Sequence, residues 1–258
     1  MDQSLIDTLI LKANKKHNEK NFLDAEKLYK QVLNIEPKNI NCLNYLGTLF
    51  AQTNRKKNAE EIFLKAINFE PNNPVLNNNL GNIYQENGIY DKAISYYKKT
   101  ILFKPSFIPA NLNLGLIYYK KGKFTEALNF LKKVTQAQPN NIKCYLMIAV
   151  IYKQLQNFKE TLNCYNKIFK IDPDNFMALS GTIDLFNSIN FTNLSKSNSH
   201  ELIEIFLFLY KKNIINHNYL FNNAKTLIIF DEDKIQLEEI LNKNSNILNK
   251  KIVKIILN

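Results

Sequence analysis

The side chains best suited to catalysis or metal binding are few in this chain of 258 residues, and they lie far apart. They are three histidines and three cysteines, namely His17, His200, His217, Cys42, Cys144 and Cys164. A zinc site needs such ligands at short, regular spacing, and a catalytic nucleophile needs a neighbouring base that activates it. No CxxC pair occurs and no histidine has a second ligand at metal-binding spacing, so we expect no catalytic residue, no metal site and no cofactor.

The chain is strongly basic, with a formal net charge of +11. Arg55 is its single arginine, so nearly all of the positive charge comes from lysine. Arginine supplies the planar fork that binds phosphate and guanine through two bonds, and its scarcity argues against a specific nucleic-acid partner. The lysines occur as scattered pairs typical of solvated helix faces. The alternative is a weak surface for polyanions, whose binding would fall steeply with salt.

The N-terminal residues do not match a secretory signal peptide, and no apolar run of the chain is long enough to span a membrane. Asp2 and Asp7 lie where a secretory signal peptide needs positive charge. The apolar run Ile205–Tyr210, like every other apolar run in the chain, is far shorter than the roughly 20 residues of a membrane-spanning helix. The odd number of cysteines does not suit a disulfide framework. We therefore expect a cytoplasmic protein without membrane insertion.

A proline recurs every 34 residues and organises most of the chain. The series is Pro37, Pro71, Pro105, Pro139 and Pro173. With each unit numbered so that its proline is position 32, position 8 holds glycine in three units and position 20 holds alanine in four. Positions 7, 11 and 24 hold mainly large apolar or aromatic residues. The clearest unit covers residues 74–107.

These columns predict two antiparallel helices in each unit. Large residues at helical spacing form the apolar stripe of each helix, and the small residues at positions 8 and 20 let the two backbones approach closely. Asn54, Gly88 and Gly122 lie at position 15, where the first helix must end, and both residue types suit the left-handed conformation of a C-terminal cap. The proline ends the second helix because it lacks a backbone N–H and restricts the residue before it.

This pattern resembles the tetratricopeptide repeat, whose consensus includes leucine at 7, glycine or alanine at 8, tyrosine at 11, alanine at 20 and proline at 32. The resemblance implies an all-α fold, a right-handed superhelical solenoid of antiparallel helix pairs with a C-terminal helical segment. We expect five repeats in residues 1–175, a partial sixth repeat and polar loop in 176–199, and a helical capping region in 200–258. One departure is position 4, where asparagine replaces the usual tryptophan at Asn77 and Asn111.

In the tetratricopeptide family, the first helices line a concave groove, and their positions 2, 5, 6, 9 and 12 face the ligand. In this chain these positions hold uncharged amides near the middle of the array and apolar residues toward its end. Amides carry both a donor and an acceptor, so they suit an extended peptide backbone. The candidate peptide-binding residues are Asn44, Tyr45, Asn78, Asn79, Asn82, Gln85, Asn113, Leu116, Tyr119, Lys143 and Met147.

Asn79 and Asn113 each precede Leu-Gly, which is similar to the repeats of protein O-GlcNAc transferase, where position 6 holds the substrate backbone. Another variant of the family clamps a C-terminal carboxylate with lysines and asparagines of successive repeats. Asn82, Asn113 and Lys143 match that clamp. Its two other cations are replaced by Asn78 and Met147, so we do not expect strong recognition of an acidic C-terminus. The alternative for these asparagines is that the residue is abundant throughout the chain.

Two functions follow from the resemblance. The first is a non-catalytic scaffold that binds a peptide or protein segment in the concave groove. The alternative is the non-catalytic N-terminal region of a larger glycosyl-, sulfo- or methyltransferase, which is motivated by the apolar end of the chain at residues 255–257.

Overall fold

The computed structural model describes residues 3–188, and these residues form helices joined by short turns, without a β-strand. The helices are α1 (Gln3–Asn18), α2 (Phe22–Ile35), α3 (Ile40–Gln52), α4 (Lys56–Phe69), α5 (Pro74–Glu86), α6 (Tyr90–Phe103), α7 (Ile108–Lys120), α8 (Phe124–Ala137), α9 (Ile142–Gln154), α10 (Phe158–Ile171) and α11 (Phe176–Ser188). The predicted all-α fold is confirmed. Within this part of the chain, no helix combines the length and apolar character needed to cross a membrane.

The helices pack as consecutive pairs. Each odd-numbered helix from α1 to α9 packs against the even-numbered helix that follows it, as the repeat pattern predicts. The chain divides into two compact units, residues 1–139 with α1 to α8 and residues 140–258 with α9 to α11. In the second unit, α11 contacts both α9 and α10. This helix consists of the residues that are predicted to begin a partial sixth repeat. The predicted polar loop up to residue 199 and the capping region 200–258 lie outside the described residues.

The glycine column at position 8 is explained by the large side chain at position 24 of the same repeat. A Cβ atom added to Gly81 would lie 2.7 Å from the Tyr97 ring, and one added to Gly47 would lie 2.7 Å from the Phe63 ring. A Cβ atom at this distance would force the ring to shift from its present position. The glycine therefore leaves space for the position 24 side chain of the second helix. The sequence pattern predicts only that the backbones of the two helices approach closely.

The turns within the repeats adopt the predicted left-handed conformation. The backbone φ angle is +59° at Asn54, +74° at Gly88 and +70° at Gly122. Lys20 and Gln156 occupy the same position with φ of +60° and +54°, although neither residue favours positive φ. The turn geometry is thus imposed by the packing of the two helices as well as by the local sequence.

Asparagine side chains fix the loops between repeats. Asn39 and Asn73 cap α3 and α5, because their side-chain carbonyls accept backbone N–H groups from the first helical turn. At position 4, Asn77 donates to the carbonyl oxygens of Pro71 and Asn73, both at 2.9 Å. Asn111 makes the equivalent bonds one repeat later. The asparagines that replace the consensus tryptophan therefore tie the proline loop to the following helix.

Candidate functional site

The predicted groove residues of the first unit lie on its first helices, α3, α5 and α7. Adjacent first helices are close to each other, since α3 contacts both α1 and α5. Eight of the nine predicted residues on these helices are partly exposed, namely Asn44, Tyr45, Asn79, Asn82, Gln85, Asn113, Leu116 and Tyr119. The structure thus brings most of the predicted amides together on the surface of one compact unit.

Two hydrogen bonds join asparagines of neighbouring repeats. Asn79 on α5 donates its amide N–H to Asn44 Oδ1 on α3 at 2.9 Å. Asn113 on α7 donates in the same way to Asn82 Oδ1 on α5, also at 2.9 Å. We call these two bonds the asparagine pairs. They give the position 6 asparagines a role in holding successive repeats together, which the sequence pattern does not indicate.

The second asparagine pair uses its hydrogen-bonding atoms almost completely. Asn113 Nδ2 also donates to the Tyr97 hydroxyl at 3.1 Å, so both of its hydrogens are engaged. Asn82 Oδ1 accepts from Asn113 and lies 2.7 Å from the Tyr97 hydroxyl, whose single hydrogen is shared with Gln85 Oε1 at 2.8 Å. The atoms left on this pair are one donor, Asn82 Nδ2, and one acceptor, Asn113 Oδ1.

The first asparagine pair presents the same two groups. Its bond runs from Asn79 Nδ2 to Asn44 Oδ1, so the amide atoms without a bond are the donor Asn44 Nδ2 and the acceptor Asn79 Oδ1. In this pair Asn79 Nδ2 also keeps one hydrogen and Asn44 Oδ1 one lone pair, because each makes a single bond. Within residues 3–188, none of these remaining donor and acceptor atoms makes a hydrogen bond or is buried from solvent. A peptide group carries one N–H and one C=O, so each pair offers the complementary atoms.

Tyr97 is the centre of the network around the second pair. Its hydroxyl lies 2.7 Å from Asn82 Oδ1 and 2.8 Å from Gln85 Oε1, and it accepts from Asn113. The ring is fully buried, and burial raises the pKa of its hydroxyl, which keeps the phenol neutral as a donor. The repeat pattern predicts only packing for the side chain at position 24. The tyrosine at this position does indicate a hydrogen-bonding role, because the hydroxyl of a buried tyrosine needs a hydrogen-bond partner.

The equivalent tyrosine of the first repeat, Tyr29, borders a second polar cluster. Its hydroxyl donates to Asn14 Oδ1 at 2.7 Å and lies 3.2 Å from His17 Nδ1. The other ring nitrogen of His17 is 2.8 Å from Gln52 Oε1 on α3. This histidine therefore links the first two repeats. A cavity of about 580 Å³ is lined by Asn14, His17, Asn18, Lys20, Phe22, Tyr45, Thr48 and Gln52.

The other predicted residues differ in their surroundings. Asn78 is only 5% exposed, and its carbonyl oxygen has no hydrogen-bond partner among the described residues, which leaves little surface for a ligand. Tyr119 is half-buried with its ring 6.0 Å from that of Phe124. Lys143 is exposed and Met147 is half-buried, and both lie on α9 in the second unit.

The three cysteines are buried and carry thiols rather than disulfides. Burial raises the pKa of Cys42 and of Cys144 to about 12, so both thiols remain protonated and weakly nucleophilic at neutral pH. The Cys42 thiol donates to the Tyr29 carbonyl oxygen at 3.2 Å. Among residues 3–188, no group of three or more histidine, cysteine, aspartate or glutamate residues is arranged to hold a metal ion.

Consecutive helix pairs with these packing columns define the class of protein, and comparison with protein families agrees. Tetratricopeptide repeat models match residues 41–73 and 62–95. A model of anaphase-promoting complex, cyclosome, subunit 3 matches residues 86–168. The described part of the chain is therefore a tetratricopeptide repeat array.

Several solved structures share this fold. The crystal structure of MamA is 22% identical, with a TM-score of 0.58 over 62% of this chain and 94% of that chain. YrrB, described as a TPR protein with an unusual peptide-binding site, is 21% identical, with a TM-score of 0.57 over 68% and 90%. A tetratricopeptide repeat protein from Parabacteroides merdae is 18% identical, with a TM-score of 0.61 over 98% and 97%. Comparison with curated protein sequences gives no match.

Proposed function

We propose that this chain is a non-catalytic scaffold that binds an extended peptide or protein segment along α3, α5 and α7. The proposal rests on the two amide groups that each asparagine pair leaves without a hydrogen bond inside the protein. These groups are the N–H donor of Asn44 and of Asn82, and the carbonyl acceptor of Asn79 and of Asn113. The peptide-binding site named for YrrB supports the same class of ligand, as a protein of the same fold.

The internal bonds make the recognition directional. Because Asn113 commits both amide hydrogens to Asn82 and Tyr97, a ligand meets only its carbonyl oxygen, which accepts a peptide N–H. Asn82 conversely offers only N–H hydrogens, which bind a peptide carbonyl. Recognition of backbone groups holds a segment without demanding one side-chain sequence, and this suits a scaffold.

Beyond the asparagine pairs, the surface offers places for side chains. Leu116 and Tyr119 on α7 present half-buried apolar surface. The cavity beside Tyr45 on α3 combines aromatic walls with amide groups. For the second unit taken by itself, Lys143 and Met147 on α9 are proposed as ligand contacts. A ligand of mixed polar and apolar sequence fits these features better than a purely charged one, since the groups facing it are mainly neutral.

The test is quantitative capture of partners from a lysate by the wild-type chain and the Asn79→Ala/Asn113→Ala variant, followed by mass spectrometry. Loss of two hydrogen bonds at about 1 kcal/mol each predicts a fall in affinity of about 30-fold. The matched control is Asn68→Ala/Asn129→Ala, which removes two exposed asparagines from the second helices α4 and α8. Equal capture by wild type and by a folded Asn79→Ala/Asn113→Ala variant would refute the proposed site.

A captured partner then permits a sharper test of backbone recognition. Its bound segment is made as a synthetic peptide, with and without N-methylation of single backbone amides. N-methylation removes the N–H that Asn79 or Asn113 accepts, so we expect at least one methylated position to abolish most of the binding. A peptide insensitive to methylation at every position would contradict backbone recognition.

A further inference from the structure

The cavity between the first two repeats is bordered by a histidine whose two ring nitrogens both face oxygen atoms. His17 Nδ1 lies 3.2 Å from the Tyr29 hydroxyl, and Nε2 lies 2.8 Å from Gln52 Oε1. The Tyr29 hydroxyl gives its hydrogen to Asn14 Oδ1 at 2.7 Å, so toward His17 it can only accept. Both ring nitrogens therefore have to donate, which requires the doubly protonated, positively charged imidazole. We call this space of about 580 Å³ the histidine cavity.

The amide groups that line the histidine cavity offer mainly donors to a ligand. The carbonyl oxygens of Asn14 and Gln52 each face a donor of the protein. Asn14 Nδ2 and Gln52 Nε2, by contrast, make no hydrogen bond within residues 3–188 and are not buried from solvent. Thr48 adds no donor, because its hydroxyl donates to a backbone carbonyl oxygen at 2.8 Å. Two amide nitrogens are thus available for the oxygen atoms of a ligand.

The positive charge of the histidine cavity has no carboxylate beside it in the lining. Lys20 and His17 are among the lining residues, which include no aspartate and no glutamate. Lys20 forms no ion pair within the described part of the chain, and the adjacent Glu19 pairs with Lys16 at 3.3 Å. Two cations at one cavity repel each other, and an anion bound between them offsets that repulsion.

Loss of the His17 proton changes the groups that face a ligand. A neutral imidazole has only one donor, so one of its two contacts must rearrange. If Nε2 loses its hydrogen, Gln52 must turn its amide to donate, and its carbonyl oxygen then faces the cavity. If Nδ1 loses its hydrogen, the Tyr29 hydroxyl must donate to His17, and the Asn14 carbonyl oxygen loses its donor. Either change adds an acceptor and removes a positive charge, so both weaken the binding of an anion.

The other titratable groups around His17 come from three parts of the fold. The Tyr29 hydroxyl faces it from α2, and burial raises the pKa of that hydroxyl. Tyr45 lines the cavity from α3, and the turn after α1 supplies Lys20 and the ion pair described above. Imidazole is the side chain whose ordinary pKa places its charge change between about pH 5 and pH 8. Any pH dependence of ligand binding in this range is therefore assigned to His17.

We propose that the histidine cavity binds a doubly charged oxyanion, the chemistry of a phosphate monoester, while His17 is protonated. Lys20 and the amide nitrogens of Asn14 and Gln52 donate to the oxygens of the anion. His17 is a positioning residue, because it orients Gln52 and adds charge. A phosphate carries three accepting oxygens and about two negative charges, which match three donor side chains and two cations, whereas a carboxylate has two oxygens and one charge. The inference goes beyond the proposed peptide site, since a small anion suffices to test it.

The test is titration of the full chain with sulfate, followed by NMR. Sulfate has the tetrahedral shape of phosphate and keeps both negative charges over the whole range, so a pH dependence of its affinity comes from the protein. We expect the affinity to fall at least about fivefold between about pH 5.5 and pH 8. His17→Gln is expected to abolish this dependence. Lys20→Gln is expected to weaken binding about tenfold at each pH and to keep the dependence.

The matched control is Lys57→Gln on α4, which removes the same charge from an exposed site outside the cavity. It is expected to change the affinity by less than about twofold. Absence of saturable sulfate binding, equal weakening by Lys57→Gln and Lys20→Gln, or a pH dependence that persists in His17→Gln would each overturn the proposal. Circular dichroism verifies that the variants fold, and Lys20→Gln tests the site even if His17→Gln does not fold.

A second titration distinguishes two sources of the phosphate group. Inorganic phosphate is compared at about pH 7 with a phosphoserine whose amino and carboxyl groups are both blocked. Tighter binding of the blocked phosphoserine identifies a phosphorylated side chain as the ligand, and equal or tighter binding of inorganic phosphate identifies a free phosphate. Binding of neither compound by a chain that binds sulfate would overturn the assignment to phosphate.

Discussion

At the scale of single residues, asparagine performs three different tasks in the same array. Asn73 caps a helix, Asn77 ties a loop to that helix, and Asn79 bonds to the preceding repeat. The side chain is the same in each case, and only its position in the repeat differs. The abundance of asparagine in the chain is therefore used structurally, and the free atoms of the asparagine pairs are a consequence of that use.

The tyrosine hydroxyl at the centre of the second asparagine pair is expected to stabilise the fold. Tyr97→Phe removes a hydroxyl that bonds to three side chains, and the loss is expected to cost about 1 kcal/mol of unfolding free energy. The measurement is the midpoint of urea unfolding. Tyr90→Phe is the control, because Tyr90 is half-exposed and should change stability by less than about 0.5 kcal/mol. Equal effects of the two variants would show that the network contributes nothing.

At the scale of helices, Arg55 connects elements of the first two repeats. It precedes α4, and its guanidinium donates to Glu26 on α2 at 2.7 Å. The same group lies 4.4 Å from the centre of the Phe50 ring on α3. Glu26 also accepts from Lys30 at 2.7 Å. The single arginine thus fixes the position of α2 against the next helix pair, which a lysine could not do with the same planar contact.

This ion pair predicts a specific pH dependence. Partial burial raises the pKa of Glu26, but the hydrogen bonds and charges of Lys30 and Arg55 outweigh that effect and lower it overall. The stabilisation is complete above the unfolded-state pKa of about 4.3 and is lost as the pH falls through the lower folded-state value. Arg55→Ala is therefore expected to cost about 1 kcal/mol at pH 7 and less near pH 3.

The measurement is thermal unfolding of wild type and Arg55→Ala across this pH range. Lys57→Ala serves as the control, since Lys57 is exposed in the first turn of α4, two residues after Arg55. A stability difference that stays constant from pH 7 to pH 3 would contradict the role given to Glu26.

At the scale of the whole molecule, stability depends on how many neighbours each helix has. In the first unit, α1 buries only Ile6 and Ala13. Internal first helices bury far more, with six residues in α3 and seven in α5. In repeat arrays each helix is stabilised mainly by the neighbours it packs against, so a helix that buries few side chains opens more easily than one that buries many.

Hydrogen exchange is expected to show this gradient directly. Backbone amides of α1 should exchange faster than those of α3 and α5 when the full chain is followed by mass spectrometry. Leu80→Ala, which creates a cavity in α5, should increase exchange in α5 and its neighbouring helices more than in α1. Equal protection of α1 and α5 in the wild-type chain would indicate one cooperative unit and contradict the expectation.

The sequence alone determined the architecture, because its signals are local. Helix ends follow from the recurring proline and from the left-handed position at Gly88, and the packing stripes follow from helical periodicity. It also selected the helices that hold the candidate site. Only the tertiary structure decided which atoms of Asn79 and Asn113 remain free, that Asn78 is buried, and that Tyr97 joins the site. The deciding bonds connect residues 31 and 35 positions apart, so they depend on the rotation and spacing of successive repeats, which no local pattern specifies.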